Sequence, residues 1–144
     1  MSTFATIAAL ITTDLVTAGV AASTADVYTG RRPNRITKSA EVWLERGEAT
    51  PVGSSAQRQT AHTVYVHLIQ RKSNAGPHGT GSVELLSLES KAETLTERYR
   101  NAPPAAFATA GIYCLTATED DIDADSEELG QQALTVRVEI TEHA

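Results

Sequence analysis

The residue patterns with chemical potential lie in four short stretches. Asp121-x-Asp123-x-Asp125 has the carboxylate spacing that opens a calcium loop. Its sixth position is Ser126, where the sharp turn wants glycine, and its twelfth is Gln132, where a bidentate glutamate is expected. The two mismatches favour a solvated acidic loop. Gly76-Pro-His-Gly79-Thr-Gly81 precedes a helical pattern, where phosphate-binding loops occur. A phosphate loop needs a lysine followed by Ser or Thr at the helix start, and here Ser82-Val83 follows instead. The spacing G-x-G-x-x-G is also absent, so the glycines read as a turn.

Histidine and cysteine offer little more. His62 and His67 are five apart in a strand pattern and so face opposite sides, while His78 and His143 stand alone. Cys114, the single cysteine, sits in an apolar run and reads as a small buried residue. It rules out an intramolecular disulfide and a cysteine-based zinc site. There is no G-x-S-x-G. The expectation is a non-enzymatic protein with no catalytic residue, cofactor or metal.

Charge is the remaining signal. Arg31, Arg32, Arg35 and Lys38 cluster in a segment with Pro33 and Asn34. Glu119–Glu128 holds Glu119, Asp120, Asp121, Asp123, Asp125, Glu127 and Glu128. Taking those seven from the 18 acidic residues leaves 11 against 12 basic ones, so the net charge of -6 is one local patch. No basic surplus exists to drive sequence-independent DNA binding. Four positive charges in a turn could contact phosphate; more often such a cluster is solvated or meets an acidic surface, here the acidic segment of the same or a neighbouring subunit. Trp43, on an otherwise polar strand face, reads as an interface anchor or as a contact beneath a loop. These eleven residues (Arg31, Arg32, Arg35, Lys38, Trp43, Asp120, Asp121, Asp123, Asp125, Glu127 and Glu128) are the candidate interface.

The elements that must position them follow from periodicity. With 144 residues and 41% hydrophobic composition, one domain with a real core is expected. Aromatics are 5%, so that core should be aliphatic. Ser82–Asn101 reads as the main helix: Leu85, Leu88, Ala92, Leu95 and Tyr99 share one face, Ser82 is placed as its N-cap, and Pro103-Pro104 bar continuation. Thr3–Ala18 reads as a second amphipathic helix stopped by Gly19. It has no lysines opposite its apolar face, as a membrane-surface helix would want. No signal peptide or membrane span is read.

Strand patterns cover Ala25–Thr29, Ala40–Arg46, Thr63–Arg71, Gly111–Thr118 and Ala133–Glu142. Thr63–Arg71 has apolar groups on both faces and should be central. Leu134, Val136, Val138 and Ile140 alternate with Thr135, Arg137, Glu139 and Thr141, giving one buried and one solvated face. Gly47–Ala61 is expected to be a long polar loop at the tip of a hairpin. The order helix, three strands, helix, two strands predicts an α+β two-layer sandwich. Its sheet is mostly antiparallel, of about four to five strands, with two helices packed on one face.

That order resembles the tail terminator (tail completion, or neck) proteins of long-tailed bacteriophages, part of the head–tail connector. The matching residues are the helix Phe4–Ala18 and Asp26-Val27-Tyr28 leading into Arg31-Arg32-Pro33. The hairpin around Gly47–Ala61, the helix Ser82–Arg100 and the closing strand Leu134–Ile140 complete the match. The match is one of size, order and texture across nearly the whole chain, without an invariant motif, and the acidic run Glu119–Glu128 maps onto no family feature. The resemblance implies a homohexameric ring at the head-proximal end of the tail, within the virion and assembled in the host cytoplasm. Such a ring ends tube polymerisation and joins the tail tube protein to head-completion proteins. Double-stranded DNA passes through it without specific binding, and no membrane is involved. The alternatives are another connector component (a head-completion protein or a tube subunit), a small-ligand-binding or enzymatic α+β domain, and a toxin–antitoxin or regulatory partner.

Overall fold

The computed structural model describes residues 3–52, 59–71, 82–101, 104–122 and 131–143. Helix α1 spans Phe4–Thr17, and the Thr3 hydroxyl caps it by accepting from the Thr6 N–H at 3.3 Å. Its C-terminus closes on Gly19, whose φ of 78° suits glycine. The Val20 N–H reaches back to the Leu15 carbonyl at 2.9 Å and the Gly19 N–H to Val16, a Schellman closure that seats Val20 beside Leu15 in the core.

Strands β1 (Val27–Thr29), β2 (Ala40–Val52) and β3 (Gln59–Arg71) come next, then α2 (Ser82–Asn101), a one-turn helix α3 (Ala105–Thr109), β4 (Ile112–Ile122) and β5 (Gln131–His143). The sheet order is β1-β2-β3-β5-β4. Only β1–β2 is parallel; β2–β3, β3–β5 and β5–β4 are antiparallel. This is an α+β fold, and β3 is the central strand that its two apolar faces require.

One face of the sheet carries Val42, Leu44, Val64, Val66, Leu68, Leu115, Leu134, Val136, Val138 and Ile140, all buried. Ile7, Ile11 and Leu15 of α1, Leu88, Ala92, Leu95 and Tyr99 of α2, and Phe107 of α3 join them in one cluster. Tyr99 and Phe107 meet edge to face at 6.0 Å. The helices are also clamped electrostatically. Asp14, buried on the inner face of α1, accepts from Arg98 Nε and Nη2 at 2.7–3.0 Å. That contact holds the Arg98 guanidinium above its ordinary value. Burial, reinforced by the charge of Asp14, pushes the adjacent Tyr99 phenol well up.

The structure revises four expectations. Gly47–Ala61 is not all loop. β2 continues through Gly47–Val52 and β3 begins at Gln59, because Gln59–Ala61 already pair with Thr141–His143 of β5 and so template the hairpin outward. A register shift between Arg46 and Ala49 absorbs the extra residue. Gly47 is required there: a Cβ would lie 2.9 Å from the Thr63 carbonyl oxygen and 3.0 Å from the Tyr65 ring. The acidic segment likewise starts within a strand, since Glu119–Ile122 extend β4 against Leu134–Val136. The helix over 82–101 includes Ser82 as its first residue rather than as the residue before it. The α3 turn adds a third helix to the two expected, started by Pro104, whose fixed φ suits a helix entry.

Leu88 and Leu95 are 1% and 0% exposed, whereas Glu93 is exposed. Leu95→Asp or Leu88→Asp should therefore unfold the domain. Each loses the packing of a leucine and buries an unpaired carboxylate, about 5 kcal/mol or more together, against a total stability of roughly 5–15 kcal/mol. Glu93→Lys should leave the urea midpoint nearly unchanged. A cooperatively folded Leu95→Asp protein by circular dichroism would sink this account of the core.

Candidate functional site

The basic segment is shaped by the face of the sheet that the helices do not cover. Gly30, with φ 137°, ends β1 and donates its N–H to the Leu44 carbonyl at 2.9 Å. The chain then crosses the open face towards the foot of β5. Ile36 is its anchor, buried on Ile69 and Ala133 with Trp43 alongside, a small second core. The Gln131 side chain, 1% exposed, reads the segment's backbone: Oε1 accepts from the Ile36 N–H at 3.1 Å and Nε2 donates to the Asn34 carbonyl at 2.9 Å. Arg71 Nη2 donates to the Ile36 carbonyl at 3.4 Å.

Glu41 fixes the return into β2. Its Oε2 accepts from the Thr37 N–H, the Thr37 hydroxyl and the Lys38 N–H at 2.8–3.1 Å, and Oε1 accepts from the Trp43 indole N–H at 2.8 Å. Burial pushes the Glu41 carboxyl up, but the bonds from Lys38, Trp43 and Thr37 together outweigh burial and hold it below the ordinary carboxylate value. Trp43 also stacks on Tyr28 at 4.8 Å, and Lys38 Nζ lies 5.3 Å from the centre of the Tyr28 ring. Lys38 donates to the Ala25 carbonyl at 2.8 Å and to Asp26 at 3.2 Å. The Tyr28 hydroxyl and the Asp26 carboxylate hold its ammonium above its usual value.

The candidate residues thus divide. Lys38 and Trp43 come together around Tyr28, half-buried beneath the segment they brace. The Arg32 N–H donates to Glu45 Oε1 at 3.4 Å. Arg31 and Arg35 are exposed. Asp120 and Asp121 stand in β4, at the opposite edge of the sheet from β1. Asp123, Asp125, Glu127 and Glu128 lie outside the described residues. So do the glycine loop before α2 and all of the calcium-like pattern after Ile122 up to Gly130.

Two polar constellations were not singled out from sequence. On the open face His67 Nδ1 and the Thr135 hydroxyl share a hydrogen bond at 2.8 Å, and His67 Nε2 lies 3.4 Å from Glu45 Oε1. On the helix-covered face His62 Nε2 and Glu142 Oε1 are 2.9 Å apart, with Glu142 1% exposed. The opposite facing of the two histidines is the parity signal the sequence carried; their partners come from strands with no local signal. A cavity of about 90 Å³ lies among Val20, Ala21, Val42, Leu68 and Leu88, with Asp26, Glu41 and Lys91 at its margin. Ligand pockets run to roughly 300–1,000 Å³, so this one is a packing gap. Among the described residues no three His, Cys, Asp or Glu are placed to hold a metal ion, and no helix is long and apolar enough to cross a membrane.

No protein-family model matches the chain, and no curated protein matches it. Among the described residues, the basic segment is a braced surface element.

Glu41→Gln places an amide where four donors converge and should cost about 1–3 kcal/mol at neutral pH. Because the folded value of Glu41 is depressed below 4.5, its contribution is fully present above that pH and is lost as pH falls through the lowered value. The gap in urea stability between the two proteins should be wide at pH 7 and narrow towards pH 3. A gap independent of pH would show that the carboxylate charge is not what holds the segment.

Proposed function

We propose that this protein is a structural subunit of a tailed-phage connector: a tail-terminator-like component that forms a ring, six copies by the resemblance, at the head-proximal end of the tail. The carrying observation is the β2–β3 hairpin. Its strands are 13 residues each, and the outer part of β2, at Glu48, Ala49 and Thr50, is exposed beyond the buried core. An arm of that kind, rigid because β3 is laddered along its whole length to β5, suits contact with a neighbouring subunit or with the tube. The element order agrees with the order on which the resemblance rests. Charge segregated along the sequence into an Arg/Lys cluster and an acidic run fits a heterologous contact, where one surface meets a different one.

In this role the ring ends tube growth, joins tube to neck and lets double-stranded DNA pass. The near-neutral charge outside the acidic run suits passage, since phosphate contacts are what hold DNA.

Light scattering of the purified protein at high concentration should give a ring-sized species. Antibody-labelled electron microscopy of particles carrying it should place the label at the head–tail joint. Label along the tube would make it a tube subunit instead. A strict monomer that labels no particle would overturn the reading.

A further inference from the structure

Residues 31–39, between β1 and β2, form a strap over the open face, and its backbone is held by side chains. The Gly30 N–H bonds to the Leu44 carbonyl just before it, and the Arg71 N–H bonds to the Ser39 carbonyl at its end. Between these two points no backbone group of residues 31–38 bonds to another described backbone group. Four side chains take that part. Glu45 accepts from the Arg32 N–H, and Gln131 accepts from the Ile36 N–H while donating to the Asn34 carbonyl. Arg71 donates to the Ile36 carbonyl, and Glu41 accepts from the Thr37 and Lys38 N–H groups.

Only Ile36 of the strap is buried. The Lys38–Asp26 pair is partly exposed on both sides and adds little. A segment with one apolar anchor and no ladder of its own stands at the low end of local stability. The strand beneath it, β3, is laddered on both sides and stands at the other end.

The strap also has chain to spare. β1 ends level with Leu44, and β2 begins at Ala40, four residues back along the strand, or roughly 13 Å. A stretch of nine extended residues reaches about 30 Å. The excess carries Ile36 out to Ile69 and Ala133 and back. Lifting the strap therefore leaves the β1–β2 pairs in place, and Gly30, at φ 137°, supplies a hinge at one end.

We propose that residues 31–39 open as a unit while the five-stranded sheet and its helices stay folded, with the Glu41 carboxylate as the latch. Both Glu41 oxygens are used, Oε2 on the strap and Oε1 on the Trp43 indole, so closing the strap and fixing Trp43 are one event. An amide at this position turns one acceptor into a donor that faces donors. The open strap uncovers Ile69, Ala133 and the Gln131 amide on the face that the helices leave bare. This opening is independent of whether copies form a ring.

The bonds Arg35–Ile36 and Lys38–Ser39 make the strap a trypsin substrate once it lifts. Cutting there, located by mass spectrometry, follows the population of the open form. In the unmodified protein its rate should rise only slightly with urea below the unfolding midpoint, because little surface is exposed. Glu41→Gln should speed it about tenfold or more at neutral pH. Far-UV circular dichroism should stay native, and acrylamide should quench Trp43, the single tryptophan, more strongly. Ile36→Ala should speed the same cuts through the other anchor. A urea dependence equal to that of global unfolding overturns the separate opening, and the unmodified protein decides this without any variant. Equal cutting rates in the unmodified and Glu41→Gln proteins overturn the latch.

Discussion

The β3–β5 ladder is the constraint on which the rest depends. Thirteen consecutive pairs, from Gln59↔His143 to Arg71↔Gln131, fix two strands at the middle of the sheet. Period-two alternation then assigns every side chain to a face. Val64, Val66 and Leu68 with Leu134, Val136, Val138 and Ile140 make the floor on which α1, α2 and α3 pack. A slip by one residue would send that floor to the open face and bring Tyr65, His67, Thr135 and Arg137 under the helices. The same ladder carries Gln131 to the place where it holds Asn34 and Ile36, so the covering segment inherits its position from the central register.

Much of this was legible because it is periodic. The stripe from Leu88 to Tyr99 and the alternation of Leu134–Ile140 each state an element and a buried face. The apolar groups on both faces of Thr63–Arg71 state its central place. Gly19 states a helix end. What was not legible depends on partners far along the chain. Nothing in Gly47–Val52 reads as strand by itself: it is polar, has no alternation and contains glycine and proline. It is a strand because β3, held by β5, runs past it and offers a ladder. Glu119–Ile122 is acidic enough to read as loop, yet it lies in an edge strand whose outer side pairs with no described strand, where charge is compatible with a strand and discourages unwanted pairing.

The site followed the same division. The basic cluster and Trp43 could be named from sequence, but not what they do. Glu41 decides that. One buried carboxylate gathers two backbone N–H groups, a hydroxyl and an indole N–H, and thereby orders the turn into β2. Its signal in the sequence is only a charged residue in an alternating strand, the same signal as Glu45, which is half-exposed. Lys38 is spent on Asp26 and Tyr28 as part of that brace. Counting four cations as one surface therefore overstates it; Arg31 and Arg35 are the members turned to solvent.

Unpaired strand edges are a hazard, and the described sheet has two that no described strand fully covers. Each edge carries irregularities: the shift at Arg46/Ala49 and Pro51 on β2, and the shifts at Ile112/Cys114 and Glu119/Asp121 on β4. Bulges twist a strand away from flat pairing, and proline removes a donor. Neither edge is therefore open along its full length, which suppresses indiscriminate aggregation. Between the irregularities each edge retains a short stretch, and on β4 that stretch has no lysine, proline or charge to refuse a partner. A contact confined to such a stretch is weak as a single pair. For any head-to-tail contact, closure into a ring or growth into a fibre is set by the rotation between successive copies, not by the length of the edge.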